Sequence, residues 1–80
     1  MNSRYAVIFE KSRTGYAAYV PDLPGCVAAA RTPRQTEKLI RGAIKMHLEG
    51  MREDGDPIPK ATTRVKLVEV HSDARPRAKL

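Results

Sequence analysis

The chain has 80 residues and a formal net charge of +6, with 15 Lys and Arg against 9 Asp and Glu. It has no Trp, one Phe and three Tyr, so any core must be aliphatic, and at this length only roughly 60–65% of the unfolded surface can be buried. A lone Cys26 excludes an internal disulfide and a cysteine-rich zinc site, and Met1-Asn2-Ser3-Arg4 opens no apolar run of the signal-peptide or membrane-spanning kind. A cytoplasmic protein without a membrane partner is expected. So is self-association, because a core this small contributes limited stability.

Arg4 to Glu10 (RYAVIFE) carries the β-branched and aromatic residues of a strand, with Tyr5, Val7 and Phe9 on one face and Ala6 and Ile8 on the other. Lys11 to Gly15 is polar and ends in Gly, which predicts a hairpin loop. Tyr16 to Val20 supplies a second strand and Cys26 to Ala30 a third. Between them lies VPDLPGC, in which Pro21 and Pro24 each fix φ near −65° and extend the residue before them. Gly25 permits a sharp reversal, Asp22 can accept bonds from nearby backbone N–H groups, and Leu23 is the large apolar side chain inside the loop. Leu23 is placed either to plug the sheet or to meet a partner.

Thr32-Pro33-Arg34-Gln35 has a capping hydroxyl, a proline at the first helical position and Gln at the third, the pattern of a capping box. The helix is predicted to run to about Glu53, where Asp54-Gly55-Asp56-Pro57 ends it. At 100° per residue, Thr36, Leu39, Ile40, Ala43, Ile44, His47 and Met51 share one face, which should pack on the sheet. Thr62 to Val70 (TTRVKLVEV) is predicted as a fourth strand, with Val65 and Leu67 on one parity and Val68 and Val70 on the other. The sequence therefore predicts one α+β domain over residues 1–70, a three-stranded antiparallel meander with one covering helix and a fourth strand, followed by a flexible basic tail over 71–80. One helix covers one face, so the opposite face, with Ala6, Ile8, Ala17 and Tyr19, is left in want of a partner.

The run from Tyr5 to Pro59 resembles the HicB-like antitoxin family. The resemblance lies in Gly15-Tyr16, then Val20-Pro21-Asp22-Leu23-Pro24-Gly25-Cys26, a Thr-capped helix six residues later, and Ile58-Pro59 beyond the helix. It implies a shortened RNase-H-like β-β-β-α-β fold and a protein that neutralises HicA, a small mRNA-cleaving toxin, by covering its catalytic surface. On this resemblance the partner-binding residues are Pro21, Asp22, Leu23, Pro24 and Gly25, and the assembly is a homodimer or tetramer. Longer members carry a DNA-binding segment after the last strand. Only about ten residues follow that strand here, so autonomous DNA binding is not expected.

Two features bear on alternatives. Two-metal hydrolysis needs several converging carboxylates. The sheet region offers only Glu10 and Asp22, while Glu53, Asp54 and Asp56 suit a helix end, so neither catalysis nor a cofactor or metal is expected. Arg34, Lys38, Arg41, Lys45 and Arg52 fall on one outer helix stripe interrupted by Glu49. That stripe is either a solvated face or an anion-binding surface, and the second reading makes the chain a small basic RNA-binding accessory protein that uses the stripe and the C-terminal tail, with Tyr16 or Tyr19 stacking on bases. The family usually has Gly-Asp-Thr where Ala30-Arg31-Thr32 stands, and acidic residues in the first helical turn where Arg34-Gln35-Thr36 stands. These departures make the helix more basic than the resemblance implies.

Overall fold

The computed structural model describes residues 3–72. Its order is β1 (Ile8–Lys11), β2 (Tyr16–Tyr19), β3 (Val27–Ala30) and α1 (Pro33–Glu53), with the strands adjacent in the order β1-β2-β3 and both pairs antiparallel. The α+β meander under one helix is as the sequence predicts. β1 begins later than expected, at Ile8, because its neighbour runs out. Ile8 pairs with Tyr19, and beyond Val20 the partner chain turns away at Pro21, which has no N–H to offer a ladder.

The β1–β2 loop closes tightly, with the Ser12 N–H donating to the Gly15 carbonyl at 2.8 Å and the Gly15 N–H donating to the Ser12 hydroxyl at 3.1 Å. Gly15 is needed for space: a Cβ there would stand 2.2 Å from the Ala30 carbonyl oxygen, deep inside contact distance of the backbone at the end of β3.

α1 begins as the capping pattern requires. Thr32 is extended (φ −124°, ψ 156°), its side chain accepts from the Gln35 N–H at 3.1 Å, and Pro33 takes the first helical position. The end is a Schellman arrangement: Asp54 caps, Gly55 takes φ +75°, and the Gly55 and Asp56 N–H groups donate to the Arg52 and Met51 carbonyls. Five apolar side chains, Ala18, Val20, Leu23, Cys26 and Ile40, form the buried core, ringed by Tyr5, Val7, Ala28, Ala43, Ile44 and Leu48. Thr36 is also fully buried, its hydroxyl donating to the Thr32 carbonyl at 2.8 Å with the Tyr16 carbonyl oxygen at 3.4 Å. Burial raises the thiol pKa of Cys26 above its ordinary value.

One expectation is corrected. Leu39 is not on the packed face; it is 52% exposed, because three short strands make a sheet too narrow to cover both flanks of the helix. Over Thr62–Val70, where a fourth strand is predicted, the chain makes no ladder with β1, β2 or β3. After α1 the chain is tied back at two points, Pro59 to the Tyr5 hydroxyl and Thr62 and Thr63 to the Asp22 carboxylate. Most of the tail expected over 71–80 lies outside the described residues. No helix among the described residues is long and apolar enough to cross a membrane.

Candidate interaction site

The VPDLPGC loop consists of two consecutive β-turns. The Leu23 N–H donates to the Val20 carbonyl, and the Cys26 N–H to the Leu23 carbonyl, both at 3.0 Å. Pro21 and Pro24 therefore each occupy the second position of a turn, where their fixed φ is already correct. Gly25, at φ +86°, takes the third position of the second turn, the place where a type II turn needs positive φ. The Val20 N–H then donates to the Cys26 carbonyl at 3.2 Å and closes the loop at its base. Two prolines are present because there are two turns.

This geometry reassigns the loop's side chains. Leu23 is fully buried and belongs to the core, so it is unavailable to a partner; the double turn folds it inward under the sheet. Asp22 is already engaged. One carboxylate oxygen accepts from the backbone N–H groups of Thr62 and Thr63, each at 3.0 Å, and the other accepts from the Thr63 hydroxyl at 2.7 Å and the Thr62 hydroxyl at 3.3 Å. These bonds, the Thr63 N–H first among them, hold the Asp22 carboxyl below its ordinary pKa. Asp22 is thus an anchor for the C-terminal segment. Pro24 and Gly25 are exposed and Pro21 half-buried, and they form the outer surface of the turn pair. Nothing in the sequence pattern linked Asp22 to Thr62 and Thr63. The available signal was two adjacent hydroxyl residues opening an apolar run, and without the fold it has no address.

The same end of the sheet presents an apolar row. The register aligns Ile8 with Tyr19 and Tyr19 with Val27, so the three side chains share the face opposite α1, with Tyr19 40% and Val27 63% exposed. Sequence reasoning expected that bare face from Ile8 and Tyr19, while Val27 is supplied by the register. A second aperture lies between the β1 edge and the helix, a cavity of about 410 Å³ lined in part by Arg4, Phe9, Glu37 and Arg41.

The five basic residues of the helix stripe, Arg34, Lys38, Arg41, Lys45 and Arg52, are all exposed. Arg41 is not free, because its guanidinium pairs with Glu37 at 2.8 Å across one helical turn. Among the described residues no group of three or more His, Cys, Asp and Glu side chains could hold a metal ion.

These features define a class: a small α+β scaffold whose stiff loop and bare sheet face sit at one end. The family model for the HicB-like antitoxins of bacterial toxin–antitoxin systems matches residues 5–75, and the chain belongs to that family. It is 40% identical over 57 residues to a 14.9 kDa protein from the rep–hol intergenic region of Haemophilus phage HP1, a match covering 71% of this chain and 43% of that one. The chain thus spans less than half the length of this relative. It is 33% identical to a UPF0150 protein of Thermoplasma acidophilum, over 71% of this chain and 84% of that one. It is also 33% identical to a UPF0150 protein of Archaeoglobus fulgidus, over 79% and 96%. Among solved structures it resembles a chain of a HicA3 and HicB3 toxin–antitoxin complex, with a TM-score of 0.65 and 28% identity over 75% of this chain and 70% of that one.

Proposed function

We propose that this protein neutralises a small HicA-type, mRNA-cleaving toxin by direct protein–protein occlusion, and that its role is binding rather than catalysis. The observation that carries this reading is the row of half-buried Ile8 and exposed Tyr19 and Val27 beside the outer surface of Pro21, Pro24 and Gly25. Family membership and the likeness to a chain of a toxin–antitoxin complex support it. Charge argues for an apolar contact. A toxin that grips RNA is basic, a chain of net charge +6 repels it at long range, and the contact must rest on buried apolar surface. The expected assembly acts in the cytoplasm.

The test is co-expression with the small toxin encoded beside the gene, scored as rescue of growth. The paired substitutions Tyr19→Asp and Val27→Asp should abolish rescue and weaken complex formation by at least about a hundredfold, the scale of losing two central contacts, while circular dichroism stays unchanged. Full rescue by the folded double variant overturns the proposed surface. Failure of the wild-type protein to bind or neutralise the toxin overturns the function.

The exposed Arg34, Lys38, Lys45 and Arg52 favour a second reading, RNA binding along the helix. Salt separates the two. Phosphate contacts lose affinity steeply as salt rises, whereas an apolar protein contact changes little.

A further inference from the structure

We infer that the free edge of β3, together with the apolar groove between that strand and α1, is a docking site for an extended acidic segment of another protein. This partner is distinct from a basic toxin, and the inference does not depend on toxin binding.

The strand edge offers a ladder. β3 borders β2 alone. The Val20 N–H donates to the Cys26 carbonyl, and in the register that continues from this pair Val27 and Ala29 turn their own N–H and C=O groups away from β2. Among the described residues no strand lies beside those groups, and an unpaired edge is the ordinary template for strand addition. Nothing blunts this edge, since Val27 to Ala30 holds neither a charge nor a proline.

Beside the edge runs an apolar groove of about 580 Å³, bounded by Ala28 on the strand and by Leu39, Ala43 and Met46 on the helix. It is open at Gly42, where a Cβ would meet nothing within 4 Å. Leu39 and Met46 are both more than half exposed there. A strand laid along β3 points alternate side chains toward α1. Two apolar side chains at alternate positions therefore meet Leu39 and Met46, and those between them lie beside Val27 and Ala29 on the opposite face.

Charge selects the occupant. Lys38 lines the groove, Arg34 stands one helical turn before it, and Arg31 follows the last residue of β3. All three are exposed and, among the described residues, carry no ion pair. The exposed Glu49 lies toward the other end, past Met46. The cations thus gather where β3 ends and α1 begins. An incoming strand antiparallel to β3 brings a leading acidic run to them and its apolar residues to Leu39 and Met46. The net charge of +6 draws such a partner in at long range. The same cations disfavour a second copy, whose apolar run carries Arg64 and Lys66 against Glu69. The apolar groove disfavours RNA, whose phosphates gain nothing from it.

The experiment is fluorescence anisotropy on the full chain, with a fluorescein-labelled peptide of three glutamates followed by Thr-Val-Thr-Leu-Thr. Saturable binding is expected. It should weaken at least about tenfold with Lys38→Glu, with Leu39→Asp, and with a peptide N-methylated along its Thr-Val-Thr-Leu-Thr half, the scale of losing a central contact. Circular dichroism should show both variants folded with the helix intact. A peptide with lysines in place of its glutamates should prefer the Lys38→Glu variant to wild type. Absence of saturable binding overturns the inference, as does binding indifferent to N-methylation, to Leu39→Asp or to the exchange of charge. Displacement of the peptide by an oligouridylate would make the surface a nucleic-acid site and overturns it too. So does a groove already filled by a second copy, seen as an oligomer of the free chain that Leu39→Asp dissociates.

Discussion

Leu23 lies in a loop and is nonetheless fully buried. A large apolar side chain between two prolines is conspicuous in the sequence, and it suits a partner contact as well as a core contact. Two tight turns decide between them, because each reverses the chain and together they point Leu23 inward, where it is fully buried beside Val20, Cys26 and Ile40. Leu23→Ala should therefore act on stability, lowering it by about 2–5 kcal/mol as buried leucine truncations do. The loss is read as an earlier urea midpoint with unchanged slope. Gly25 and the two prolines were legible for a related reason: their constraints are local, set by a ring or a missing Cβ, and need no knowledge of neighbours. Asp22 was legible as a hydrogen-bond acceptor only, since its donors stand 40 and 41 positions away.

At the level of elements, α1 was the most legible part of the chain. Its start, its end and most of its buried face are set by signals within a few residues of one another: Thr32 with Gln35, Pro33 at the first position, and Gly55 after the last turn. Thr32→Ala removes the hydroxyl that accepts from the Gln35 N–H and should cost about 1 kcal/mol, visible as a lower melting temperature with the helix retained. The first turn contains no acidic residue, so no charge there offsets the loss. The strands were less legible at their ends, because a strand is as long as its neighbour permits. β1 stops being a strand before Ile8 for a reason found in Pro21. Leu39 has the same lesson: helical periodicity states which residues share a stripe, and the width of the sheet decides how much of that stripe is covered.

For the molecule as a whole, the Asp22 anchor joins the far end of the chain to the loop between β2 and β3, and this coupling depends on pH. A carboxylate whose folded pKa is depressed contributes stability that is fully present above its ordinary value of 3.8 and is lost as pH falls through the lowered folded value. Amide exchange at Thr62 and Thr63 should thus be protected at neutral pH and lose that protection in strong acid while β2 and β3 remain paired. Asp22→Asn should remove the acid dependence. It should also speed exchange at Thr62 and Thr63 by about tenfold or more at neutral pH, on the scale of local opening. The bare sheet face was foreseeable from the count of elements, since one helix can cover only one side. The tie of Thr62 and Thr63 to Asp22 was not, because it joins residues 40 and 41 positions apart.

The twice-pinned segment after α1 works as a ruler. From the cap at Asp54, the backbone must reach the Tyr5 hydroxyl at Pro59 and the Asp22 carboxylate at Thr62, and both marks are fixed by parts of the domain already in place. Length between these marks is consequently not negotiable. An added or missing residue from Gly55 to Ala61 would pull one fastening out of reach, whereas the solvent-facing bend at Arg13 and Thr14 could grow without disturbing either.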